Sequence, residues 1–134
     1  MVYDKKTNAL LATVKHIFIF NWIDKNVITP ENAHHTLNVI KKIHAIRKNH
    51  PNLPVGIHCS AGIGRTGTLI VLFNLYRDFL LQKSKAVKEG KEFDFMFSVW
   101  NIVLRVRHCR SLLVQTGGQY AYLYKFIEYF RKSK

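Results

Sequence analysis

A chain of 134 residues builds one compact domain and is too short for several. With 48% hydrophobic residues the chain can build a core, its seven glycines and three prolines argue against a disordered tail, and no apolar run reaches the roughly 18–20 residues that cross a bilayer. Lys and Arg outnumber Asp and Glu by 21 to 8, a net charge of +13 that attracts phosphopeptides, acidic membrane surfaces and nucleic acid alike and selects none of them.

Residues 12–20 are β-branched and aromatic, which predicts a strand. The loop that follows ends at Pro30. From Glu31 to about Asn49, Ala33, Leu37, Ile40, Ile43 and Ile46 recur at helical spacing, with Thr29 as a candidate cap. The prolines at 51 and 54 break the chain before a short buried strand at 55–58. A helix starts near Arg65 and runs to about Leu81, apolar nearly all round and therefore expected to be buried. The lysine-rich stretch 82–92, with Gly90, is expected to be an exposed connector. Asp94 is the candidate cap of a helix over about 95–107, packed through Phe95, Val99, Ile102, Val103 and Val106. A basic turn over 107–111 leads to a last helix over roughly 116–130. Strands mixed with helices define an α/β class, with no internal repeats.

The chemistry concentrates in His58-Cys59-Ser60-Ala61-Gly62-Ile63-Gly64-Arg65-Thr66-Gly67. A dianion needs several inward-aimed N–H groups, and the glycines at 62 and 64 let the backbone curl to supply them. The loop runs into a helix, whose N-terminal amides and dipole favour negative charge. Arg65 offers a planar fork to two phosphate oxygens. The same field stabilises a thiolate on Cys59, the nucleophilic form of a thiol. A nucleotide-binding P-loop is excluded because the loop lacks the Gly-Lys-Ser/Thr ending.

This decapeptide resembles the active-site loop of the protein tyrosine phosphatases, a cysteine, five residues, an arginine, then serine or threonine. It matches the tyrosine-specific form at every fixed position, and the resemblance extends from about 16 to 130. It implies a truncated phosphatase fold, a mixed sheet with flanking helices, in which Cys59 is the nucleophile and Arg65 and Thr66 assist it. Ser60, Ala61, Gly62, Ile63, Gly64 and Arg65 then bind the phosphate. Upstream, Trp22-Ile23-Asp24 is similar to the family's Trp-Pro-Asp loop, which makes Asp24 the expected general acid. Ile23 stands where that loop has proline, and Asn26 and Ile28 where glycine and proline are usual, so loop closure is expected to differ. Downstream, Gln115-Thr116-Gly117-Gly118-Gln119 is similar to the glutamine loop, with Gln119 expected to orient the hydrolytic water and Gln115 to support it. Arg107 and Arg110 are expected to brace the active-site loop.

The resemblance implies dephosphorylation of phosphotyrosine in proteins through a cysteinyl-phosphate intermediate, with no metal or other cofactor. It covers the C-terminal half of the family's catalytic domain, and Tyr3 has too little context to replace what precedes it. Two alternatives stay open: a phosphotyrosine-binding module with little or no turnover, and an RNA 5′-phosphatase suggested by the positive charge. No specific nucleic-acid partner and no transmembrane segment are expected. The absence of a targeting stretch near Met1 and of a disulfide framework fits a reducing, cytoplasmic setting. Short, basic copies of this family also resemble those carried by viruses of parasitoid wasps, which act inside host cells. His34, His35, His44 and His50 lack zinc-site spacing, and Cys109 reads as an ordinary thiol.

Overall fold

The computed structural model describes residues 1–20, 22 and 33–132, so Thr29, Pro30 and Glu31 lie outside it. Two short strands, β1 (Val2–Tyr3) and β2 (Leu10–Ala12), pair antiparallel. Asp4 shapes the turn between them by accepting from the Lys6 and Thr7 amides and the Thr7 hydroxyl, which holds its carboxyl below the usual range. Among the described residues four helices follow: α1 (Ala33–Asn49), α2 (Gly64–Lys88), α3 (Val99–Cys109) and α4 (Gly117–Lys132). The α/β class holds, as four helices with a small two-stranded sheet.

The expected strands differ. Of residues 12–20 only Ala12 belongs to a strand, and 55–58 forms none, although Ile19 and Ile57 pack against the core. β-propensity favours extended backbone, but a strand also needs a neighbouring chain to bond, and no described residue supplies it.

The helical expectations fare better. On α1, Ala33, Leu37, Ile40 and Ile43 are buried as the spacing requires, and Ile46 is half-buried. Helix α2 crosses the centre of the core and packs against α3, α4 and α1. Its first four turns bury Leu69, Val71, Leu72, Leu75 and Phe79, whereas Leu81 and Val87 face solvent, so it is buried in its N-terminal part only. The lysine-rich stretch continues this helix to Lys88, because Lys, Gln and Ala are good helix formers even without a partner. Gly90, at φ +63°, stops it in a Schellman arrangement: the Lys91 amide donates to the Ala86 carbonyl and the Gly90 amide to that of Val87.

Asp94 caps no helix. Helix α3 starts later, with Ser98 as its cap, its hydroxyl accepting from the Asn101 amide. Two contacts keep the preceding residues extended. Gln82 takes both backbone groups of Met96, at 2.7 and 3.0 Å. Phe93 and Phe95 stand edge-on to Phe79, with Phe95 buried. Asp94 instead pairs with Arg131 on α4.

Candidate active site

The loop 58–63 turns into α2 with no side chain capping the helix, so its first-turn amides stay open toward the loop. Gly62 sits at φ +69°, a conformation that suits glycine, and its amide points back at Cys59, 3.2 Å from Sγ. Burial raises the Cys59 thiol, but the Thr66 hydroxyl and the amides of Thr66, Gly62 and Ile63 outweigh it and bring the pKa from 9.0 to about 7. The Thr66 hydroxyl is buried and falls short of a full hydrogen bond, so we read it as a close dipole facing the sulfur.

Arg65 bridges two segments. One terminal nitrogen donates to the Trp22 carbonyl at 2.9 Å and the other to Ser60 Oγ at 2.8 Å. Trp22 is buried in the core, so the start of the Trp22-Ile23-Asp24 segment is anchored beside the loop. Asp24, Ile23, Asn26 and Ile28 lie outside the described residues.

The loop is braced from the far side by residues 107–114. The Arg107 fork holds the Leu113 and Val114 carbonyls, each at 2.8 Å. Leu112 and Val114 have φ of +65° and +61°, uncomfortable for an L-residue and most so for β-branched Val114. That twist lets the Val114 amide donate to the Ile63 carbonyl at 3.2 Å. It also presses the 113–114 backbone onto Gly67, where a Cβ would lie 2.4 Å from the Val114 nitrogen. Arg110 donates to the Ala61 carbonyl at 3.3 Å and lies against Gly62. Sequence reasoning placed both arginines as braces. Gly67 stands in the sequence as the last fixed position of the loop pattern, without the packing against 113–114 that requires it, and the tie from Arg65 to Trp22 has no signal there.

Both glutamines reach the loop at Gly64: a Cβ there would meet Gln119 Nε2 at 2.9 Å and Gln115 Oε1 at 3.1 Å. Their circumstances differ. Gln119 and Thr116 form a capping box at the start of α4, in which Gln119 Oε1 accepts from the Gln115 and Thr116 amides and the Gln119 amide donates to the Thr116 hydroxyl. Gln119 is 1% exposed, and its Nε2 has no hydrogen-bond partner among the described residues, whereas Gln115 is exposed. A 310 Å³ cleft floored by Ile70, Ile102, Val106 and Leu113 takes in no residue of the 58–65 loop.

Among the described residues no group of three or more His, Cys, Asp or Glu is arranged to hold a metal ion, and no helix is long and apolar enough to cross a membrane. His34, His35 and His50 are exposed, and His44 stands edge-on to Tyr76. Cys109 is exposed and free.

A thiol of lowered pKa at a helix N-terminus, with an arginine beside it, suits the binding of a phosphate dianion. Residues 1–129 match the protein-tyrosine phosphatase family, and the chain belongs to that family. It is 33% identical to human receptor-type tyrosine-protein phosphatase C over 129 residues, covering 96% of this chain and 9% of that protein. It is 32% identical to mouse tyrosine-protein phosphatase non-receptor type 20 over 92% of this chain and 25% of that protein. Identity to tyrosine-protein phosphatase 1 of Saccharomyces cerevisiae is also 32%, over 89% of this chain and 36% of the yeast protein. The chain thus spans well under half the length of these relatives.

Proposed function

We propose that the chain dephosphorylates phosphotyrosine in proteins, as the C-terminal half of a phosphatase catalytic domain. The observation that carries this reading is the Cys59 thiol, brought to about 7 within a loop whose open amides and Arg65 suit a phosphate. Cys59 Sγ attacks phosphorus while the loop amides and Arg65 hold the equatorial oxygens, and the bond from phosphorus to the tyrosine oxygen breaks. Asp24 gives its proton to that oxygen. Water then adds to phosphorus, the S–P bond breaks, Asp24 takes the proton and inorganic phosphate leaves. The loop amides and Arg65 provide the charge compensation throughout, and Thr66 favours the departing thiolate. Reduced, cytoplasmic surroundings suit such a thiolate, in a host cell if the chain is of the wasp-virus kind.

The two glutamines divide this work differently from the expectation. Orienting a nucleophilic water calls for a free acceptor. Gln119 Oε1 is taken by two amides, so we assign Gln119 to fixing the turn and exposed Gln115 to the water.

Hydrolysis of a small aryl phosphate by the folded chain, lost in Cys59→Ser, is the expected result. A folded parent that binds but does not turn over an aryl phosphate would favour the phosphotyrosine-binding alternative. Faster turnover of RNA 5′-phosphate than of phosphotyrosine peptide would favour the RNA alternative.

A further inference from the structure

Helices α3 and α4 turn aromatic side chains to solvent. On α3 and the residues just before it, Met96 is 72% and Trp100 58% exposed, with Phe97 and Leu104 exposed beside them. On α4 Tyr124 is exposed as well, its hydroxyl 3.2 Å from that of Tyr120. The two helices are tied at both ends of this surface. Arg131 of α4 lies over the Phe97 ring at 5.7 Å, and Arg107 of α3 stands close enough to Tyr120 for their charges to interact. Single exposed apolar side chains are ordinary, but a group of them that includes a tryptophan is not. Met96 is also held in place, since Gln82 takes both its backbone groups and so fixes its side chain outward.

Charge and chemistry select the occupant. Residues 94–132 carry six Lys and Arg against Asp94 and Glu128, and Asp94 is paired with Arg131. Arg105, Lys125, Arg131 and Lys132 are all exposed on the same two helices. The core of a protein–protein interface is depleted of charge, lysine included. A bilayer surface, in contrast, takes Trp and Tyr at headgroup level and lets Lys and Arg reach its phosphates. A second copy of the chain brings +13 against +13, which repels. We infer that the exposed face of α3 and α4 docks on a bilayer containing anionic phospholipids. Met96 and Trp100 enter the boundary between headgroups and acyl chains, and the cationic side chains meet the phosphates. Docking of this kind is independent of turnover at the 58–65 loop.

The test mixes the intact chain with phosphatidylcholine vesicles that contain or lack phosphatidylserine, and follows co-sedimentation and tryptophan emission. The chain has two tryptophans and Trp22 is buried, so a blue shift with quenching by brominated acyl chains reports Trp100. The expected result is that shift, and binding at least about tenfold tighter to the phosphatidylserine vesicles than to pure phosphatidylcholine. Met96→Ser/Trp100→Ser leaves the net charge at +13 and should weaken this binding about tenfold. Both side chains are exposed, so circular dichroism of the variant should keep the parental helix signal. Absent binding by the parent, or equal binding by the double variant, overturns the inference. So does binding without the shift and the quenching, which leaves Trp100 in water. Self-association of the parent that the double variant abolishes makes a second copy the occupant and overturns it too. Tighter binding of a soluble peptide alternating leucine and glutamate, lost in the double variant, overturns it in favour of a protein partner.

Discussion

A thiol with the ordinary pKa of 9.0 is about one per cent ionised at pH 7, whereas Cys59 at about 7 is about half ionised. In a Cys109→Ser background, the alkylation rate of Cys59 by iodoacetamide should therefore rise with a midpoint near pH 7. Thr66→Ala should move that midpoint upward, since it removes the hydroxyl facing the sulfur. A midpoint left near 9 in the parent would contradict the assignment. The sign for stability follows from the lowered value: the contribution is fully present above pH 9, the unfolded value, and fades as pH falls through about 7. The loop was legible in sequence because its parts lie within ten consecutive residues and the geometry they need is local. The role of Gln119 was harder to read, since Thr-x-x-Gln at a helix start serves equally as a capping box and as part of a catalytic motif.

Between elements, the segment 112–114 joins α3 to the loop, and Arg107 holds it in a conformation its residues do not prefer. Arg107→Ala removes both carbonyl contacts and should lower stability by about 2 kcal/mol, read from the urea midpoint. Arg107→Lys, which keeps the charge without the fork, should fall between the two. An unchanged midpoint in Arg107→Ala would mean that Gly67 and Ile63 alone hold the segment. The core faces of α1 and α3 were legible because a 3.6-residue period is written along a single stretch of chain. The strands were not, since pairing is a property of two segments and propensity reports on one. The extension of α2 beyond Leu81 was hidden because its last turns carry no buried face.

Across the whole molecule, α2 starts at the loop and carries, about two-thirds of the way along, the Phe79 of the aromatic cluster, so the loop and the core share one helix. Anions that enter the loop should raise the melting temperature by mass action. Vanadate or phosphate should stabilise the parent more than chloride at equal ionic strength, and Arg65→Ala should lose most of that excess. An excess retained in Arg65→Ala would place the anion elsewhere on this basic surface.

The open first turn of α2 has one more consequence. The cap residue Ile63 makes no side-chain hydrogen bond, and only the Cys59 sulfur faces the amides of that turn, so on the proposed function a phosphate seated in the loop supplies the rest of the cap. Secondary structure at residues 64–67 then follows occupancy. On the proposed function, release of phosphate therefore leaves this turn with fewer partners than it has in the bound state.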